Sequence, residues 1–417
     1  MEGQGSERPQ PGLRELGYNV SEESMNARVL AITAALLVAC GAKKTSSPPP
    51  AAPVCGNGVV ETGEACDEGS ANGTPGGHCK ADCSGLPKKV SIDGDVFAFF
   101  SEVKGPRLQD VQVAVIERPD ITVDAGVDAH FHIDGLYEGD EVTLVASQST
   151  IQTTQSATYT LGPAGIEPFT IQVVPTTLYN ALSSLLPQSP ELDQYCAIAT
   201  TVARMGGSLF AAHRQGMPDV TVALDPPVDP SSGPIYFNTS VLPDTTLAAT
   251  TIDGGVLFYR VPPGKYLLKA MKNGVVFNSV RINCTVGALI NAAPPMGPLA
   301  NVATPDYAKG VGRADDSYSA STDALCDQTA GCVNGSPSTD AYPAATQTSC
   351  KAMFRNMWSY VDPTCDATAH VREAAQTFFA CRGANCTNAL GDDTACASED
   401  TAFRNAEAAY GACLAGN

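Results

Sequence analysis

Four oxygen-bearing side chains, Asn57, Glu61, Glu64 and Asp67, fall within eleven residues. Three carboxylates that close repel one another unless a cation or solvent separates them. Calcium takes six to eight oxygens and accepts amide and backbone carbonyls as well as carboxylates. The segment is therefore the first candidate for chemistry, a calcium loop. The plainer alternative is a set of acids that solvate a disulfide-rich turn. A second candidate is His130-Phe131-His132. On a strand, both imidazoles point to the face opposite Phe131, open to a copper or zinc ion or to solvent, and solvent is the commoner fate. A third is His370-Val-Arg-Glu373, a His-x-x-Glu zinc spacing, but no histidine follows His370 to complete a ligand set. Neither Gly-x-Ser-x-Gly nor Gly-Lys-Ser/Thr occurs, so hydrolase and phosphate-loop signatures are missing. The expectation is a protein that is not an enzyme.

The elements that must hold these residues are written in the cysteines. There are 15, and Cys40 stands apart from the rest. The others fall into three even groups: Cys55, Cys66, Cys79 and Cys83; Cys196 and Cys284; then Cys326, Cys332, Cys350, Cys365, Cys381, Cys386, Cys396 and Cys413. Even groups are expected when each domain closes its own bridges in an oxidising compartment. No Cys-x-x-Cys is present to suggest a redox or zinc-ribbon site. With 25 Lys and Arg against 44 Asp and Glu, the net charge is −19, which argues against nucleic acid as a partner. Charged residues make up 17% and hydrophobic ones 43%, the balance of a folded chain.

Residues 1–24 precede Met25, the better-placed initiator. After it, Arg28 and an apolar run from Val29 to Ala39 lead into Leu37-Val38-Ala39-Cys40, too short to span a bilayer. The string resembles the lipobox of bacterial lipoproteins. That resemblance implies a signal peptide over 1–39 and a diacylglycerol on the Cys40 sulfur. Gly41 in place of Asp implies an outer-membrane lipoprotein of a Gram-negative bacterium, facing the periplasm or the cell surface. Residues 40–53 then form a proline-rich tether that holds a folded body off the membrane.

Residues 54–86 are rich in Gly and Cys and nearly devoid of bulky apolar residues, so disulfides, metal or both must hold their shape. Cys55-Gly-Asn57-Gly-Val59-Val60-Glu61-Thr-Gly63-Glu64-Ala-Cys66-Asp67 resembles the Myxococcus-type cysteine-rich repeat, and also the opening of disintegrin domains. Glu68 stands where disintegrin domains carry a cysteine. The resemblance implies calcium held by Asn57, Glu61, Glu64 and Asp67, with the backbone carbonyls of Val54 and Val59.

From residue 88 to 175 apolar residues alternate in short runs broken by turn signals, and 196–295 repeats the plan. Asp110-Val111-x-Val113-x-Val115 matches Asp219-Val220-x-Val222-x-Leu224. Phe131-x-Ile133-x-x-Leu136-x-x-Gly139 matches Val256-x-Phe258-x-x-Val261-x-x-Gly264. Such spacing predicts two copies of one antiparallel β-sandwich. A short helical connector over 176–195 ends near Pro187, and Cys196 and Cys284 are expected to join the first and last strands of the second copy. Thr251–Leu268 of that copy resembles the carboxypeptidase regulatory-like domain, which implies a transthyretin-like sandwich. Tyr236, Tyr259 and Tyr266 are the candidates for stacking on a glycan.

A linker over 296–322 leads to a tail, 323–417, with helical spacing in three stretches: 344–361, 366–381 and 400–414. The sole Trp, Trp358, sits on the apolar stripe of the first. The chain as a whole reads as mainly β, with a disulfide-rich calcium module before the sandwiches and a disulfide-linked helical domain after them. Its expected role is a surface scaffold or protein-binding module, and the alternatives are a carbohydrate-binding accessory module for surface polysaccharide or, more remotely, part of a peptidase system.

Overall fold

The structure is a computed structural model that describes residues 52–74, 77–99, 107–204, 216–292 and 297–301, short pieces between 323 and 351, and residues 365–384 and 394–415. Cys40 with its lipobox, Trp358 and Cys386 lie outside the described residues. Of the first predicted tail helix, only Gln347, Thr348, Cys350 and Lys351 are described, all helical.

The first sandwich is built from β1 (Lys89–Ala98), β2 (Gln112–Val115), β3 (Arg118–Asp124), β4 (His130–Tyr137), β5 (Glu141–Ser147), β6 (Ile151–Gln152), β7 (Thr154–Thr160) and β8 (Ile166–Pro175). The period-two pattern sends Val113 and Val115, and Phe131 and Ile133, inward. One sheet runs β4-β1-β8-β6, and the facing one pairs β3 with β2, β2 with β5 and β5 with β7. Gly94 lets β1 pass close under β4 and β8: a Cβ there would lie 2.3 Å from the Phe169 carbonyl and 2.5 Å from the Phe131 ring.

After α1 (Thr176–Ser183) the second sandwich follows as β9 (Cys196–Thr201), β10 (Thr221–Asp225), β11 (Ile235–Phe237), β12 (Pro243–Asp244), β13 (Gly255–Val261), β14 (Gly264–Met271), β15 (Val280–Cys284) and β16 (Leu289–Ala292). Its wiring reproduces the first. β1 pairs β4 and β8 as β9 pairs β13 and β16, and β2-β5-β7 corresponds to β10-β14-β15. The repeated Asp-Val motif has a backbone reason. Asp110 and Asp219 take left-handed φ values of 57° and 60°, a conformation Asp tolerates better than most residues. Their N–H groups donate to Ala125 O at 2.9 Å and Thr250 O at 2.8 Å. Pro262-Pro263 carries the chain from β13 to β14, which are not neighbours in the strand order.

Three features differ from the sequence expectation. The sheets are mixed rather than antiparallel, because β1–β8 and β9–β16 are parallel pairs. A chain that has crossed to the other sheet can return in the same sense as its first strand, and local patterning does not specify that sense. Next, the Cys196–Cys284 bridge reaches β15, the last strand but one, and so ties β9 to a strand it does not pair with. Finally, α1 ends at Ser183, short of Pro187.

The two copies also share a strand. β7, at the edge of the first copy, pairs antiparallel with β15 through Arg281 and Thr158, and parallel with β16 through Leu289–Thr154 and Ile290–Gln155. The result is a single 12-stranded sheet and one apolar core cluster drawn from both copies. Polar side chains secure the joint. Buried Gln155 donates to Asn283 O, its Oε1 accepts from Thr285 Oγ1 at 2.6 Å, and Arg281 Nη1 donates to Glu141 at 2.6 Å.

At the C-terminal end, α2 (Thr368–Ala384) and α3 (Ala397–Leu414) pack on each other. Their apolar stripes bury Val371, Ala375, Phe378, Phe403, Ala406 and Tyr410 together with Phe97, Ala203 and Leu299 of the sandwiches. Cys365–Cys413, Cys381–Cys396 and Cys326–Cys350 clip this part. Every bridge among the described residues stays within its own cysteine group. No helix among the described residues is long and apolar enough to cross a membrane.

Candidate functional site

The cysteine-rich module has almost no apolar core: Cys66, Cys79 and Cys83 are its buried cluster. Cys55–Cys83 and Cys66–Cys79 fix its outline, and the acidic side chains shape the interior loop. Asp67 is the hub. Its Oδ2 accepts from Gly56 N at 3.0 Å and Asn57 N at 3.1 Å, and its Oδ1 accepts from Gly69 N at 2.7 Å and the Asn72 amide at 2.9 Å. Burial pushes this carboxyl upward, but the bonds from Gly69, Asn72 and Gly56 outweigh it and hold the pKa below its ordinary 3.8. Glu61 Oε2 accepts from Val54 N at 2.6 Å, Glu64 Oε2 from Glu61 N at 3.0 Å, and Asn57 Oδ1 from Val59 N at 2.7 Å. Glu64 Oε1 is buried without a hydrogen-bond partner.

All four candidate ligand side chains thus line one loop, each engaged in turning the backbone, and one carboxylate oxygen has lone pairs to spare. Val54 and Val59, the proposed carbonyl donors, are exposed at 58% and 59%. The three acids do not converge as a ready-made cage. Among the described residues, Cys55, Glu64 and Cys83 form the group with ligand atoms mutually within 4.8 Å, and its two sulfurs are bonded to each other. Sequence reasoning missed Asn72, whose amide donates to Asp67 while its Oδ1 accepts from Glu68 N at 2.7 Å. Glu68, in the position of the absent cysteine, accepts from His78 N at 2.6 Å.

The histidine pair lies on the outer face of the first sandwich, where β4 lays His130 beside Asp95 and His132 beside Asp93 of β1. His130 Nδ1 is 3.1 Å from Asp95 Oδ1 and His132 Nδ1 is 2.6 Å from Asp93 Oδ1. Asp95 in turn is paired with Arg107 at 3.1 Å, both side chains nearly inaccessible. The bonds from Asp95 and Asp93 raise the pKa of His130 and His132 above 6.5, against a smaller opposing effect of burial. Neither histidine is merely solvated. His370 and Glu373 are exposed on α2.

Of the tyrosines considered for glycan stacking, Tyr236 and Tyr259 are 3% and 1% exposed, which corrects that expectation. Tyr266, the third candidate, is half-buried and donates to Pro262 O at 2.8 Å. A cavity of about 110 Å³ opens between α1 and the outer face of the second sandwich, lined by Val174, Leu182, Leu186, Leu257, Tyr259 and Leu289 among others.

No family model matches the chain, and no curated protein matches it. Among solved structures it is similar to the TIE protein of Bacillus anthracis at 10% identity and a TM-score of 0.18, over 49% of this chain and 34% of that one. The chain therefore matches about a third of that protein's length. The minor pilin GBS52 of Streptococcus agalactiae aligns at 8% identity and a TM-score of 0.18, over 52% of this chain and 98% of that one. A fimbrial protein of Bacteroides ovatus aligns at 10% identity and a TM-score of 0.15, covering 51% and 50%. Scores this low transfer neither a fold type nor a role.

Proposed function

We propose that the chain is a non-catalytic, surface-anchored lipoprotein that serves as an outer-membrane scaffold and protein-binding body. The observation that carries this reading is β7. By joining both sandwiches in one sheet over one core, it replaces a flexible hinge with a rigid platform. Such a platform suits display more than turnover. Each copy is read as a carboxypeptidase regulatory-like, transthyretin-type sandwich, a reading supported by the repeated Asp-Val motif and the shared wiring. The glycan-binding alternative loses ground because Tyr236 and Tyr259 are buried.

The test is expression of the full chain in a Gram-negative host with palmitate labelling and fractionation. The wild type should label and sediment with outer membrane, and Cys40→Ser should do neither. Labelling that survives Cys40→Ser would refute the anchor.

We also propose calcium as a structural ion of the 54–67 loop, held by Asn57, Glu61, Glu64, Asp67 and the carbonyls of Val54 and Val59. The partnerless oxygen of Glu64 supports this, because a buried carboxylate oxygen is costly to leave unsatisfied. Extracellular calcium modules work at about 10⁻⁴–10⁻³ M. Calorimetry on the full chain in that range should show a binding event that a Glu64→Gln, Asp67→Asn double variant lacks. The absence of heat with intact disulfides would leave the acids as backbone caps alone.

A further inference from the structure

We propose that His130 and His132 form a binding site for a divalent transition metal, zinc or copper, on the outer face of the first sandwich. The reasoning starts from the ring nitrogens. A metal-ligating histidine characteristically gives its other N–H to a carboxylate, which fixes the tautomer and aims the ring. Both histidines have that support. Asp95 takes the Nδ1 of His130 at 3.1 Å and Asp93 takes the Nδ1 of His132 at 2.6 Å. Asp95 is itself anchored by Arg107 at 3.1 Å, so the support for His130 reaches into the buried part of the fold. In each ring this leaves Nε2 as the outward atom.

Carboxylates stand beside those Nε2 atoms as well. Asp134 Oδ2 lies 3.1 Å from His132 Nε2, and Asp93 Oδ1 lies 3.8 Å from His130 Nε2. Two ligands at about 2.0–2.2 Å from one tetrahedral zinc lie about 3.3 Å apart, so the first spacing already suits a shared ion. The histidine side chains are 44% and 48% exposed and Asp134 is 81% exposed. Their exposure leaves room for small shifts that bring the Nε2 atoms toward one ion while the Nδ1 contacts to Asp95 and Asp93 are kept. The three ligand atoms are not yet mutually within 4.8 Å, so an ion would have to draw together the two imidazoles and the Asp134 carboxylate, a donor set that suits zinc or copper more than calcium. Asp93 and Asp95 are positioning residues. Strand alternation keeps Phe131 and Ile133 in the core beneath, so the site rests on a stiff base.

The experiment is titration of the full oxidised chain with zinc chloride, followed by calorimetry and by X-ray absorption of the loaded protein. The Glu64→Gln, Asp67→Asn background removes the acidic loop as a competing sink. One zinc should bind with imidazole in its coordination shell, and His132→Ala should abolish it. His78→Ala should leave it unchanged. Asp93→Asn should weaken it about tenfold, the usual effect of losing a supporting carboxylate. Melting curves in chelator identify any variant that fails to fold, and Asp134→Asn, at a largely exposed position, gives an independent ligand test by weakening uptake. Zinc uptake that is the same in His132→Ala and wild type, or no uptake by the wild type, would overturn the proposal. An unchanged affinity in Asp93→Asn would remove the positioning argument.

Discussion

At the scale of single residues, carboxylates do much of the shaping. Asp67 receives four N–H donors, and Asp67→Ala should loosen the module by releasing all four to solvent. Faster proteolysis between Cys55 and Cys83 would report the loss. Because the folded pKa of Asp67 is depressed, its contribution is present above its unfolded value and disappears as pH falls through the folded value. The module should therefore loosen in acid, below about pH 4. The histidines have the opposite sign. Their folded pKa values are raised above 6.5, so the stability they add is complete below that value and fades as pH rises through the folded one. Thermal melts in chelator should show the first sandwich losing a little stability as pH rises above about 6.5, by less than about 1 kcal/mol for pairs this exposed. In His132→Ala the slope should flatten. The acids of the loop could be picked out from sequence by type and spacing. Asn72 could not, because nothing local ties it to Asp67 five positions earlier.

Elements show where patterning succeeds and where it stops. Alternation places Phe131, Ile133, Phe258 and Val261 in the core, and the stripes of α2 and α3 bury Val371, Phe378, Phe403 and Tyr410. Period is a local property, so it can be read from sequence. Strand direction and edge pairing depend on how the chain returns after dozens of residues, and the parallel pairs and the double role of β7 stayed hidden for that reason. Gly94 gives a sharp test of packing between elements. Gly94→Ala would set a methyl against the Phe169 carbonyl and the Phe131 ring, and overpacking of this kind costs about 1–3 kcal/mol. A urea melt should show an earlier midpoint with an unchanged slope. In α3, Glu407 is nearly buried and pairs with Arg404 at 2.7 Å. Arg404→Leu should destabilise the helical pair by up to about 3 kcal/mol, since it removes one partner of a buried carboxylate.

The whole molecule should behave as one cooperative body from β1 to β16. Its core is continuous across both copies and its sheet has no seam between them. Calorimetry should find a single transition for the two sandwiches. Gln155→Leu, which removes the side-chain link to Asn283 and Thr285, should split or broaden that transition. Two resolved transitions in the wild type would mean that β7 couples the copies only weakly. The net charge of −19 is the one property of the whole molecule that composition alone supplies.

The Cys196–Cys284 bridge has a mechanical consequence. It closes a loop over a sequence separation of 88 residues, so most of the second sandwich cannot lengthen when the chain is pulled from its two ends. The first sandwich has no covalent clasp among its strands, and its residues can each pay out about 3.3–3.6 Å once it yields. Under tension the polypeptide is therefore an extensible segment in series with an inextensible one. Lengthening is confined to the first sandwich and the flanking segments, because the loop closed by Cys196–Cys284 cannot pay out.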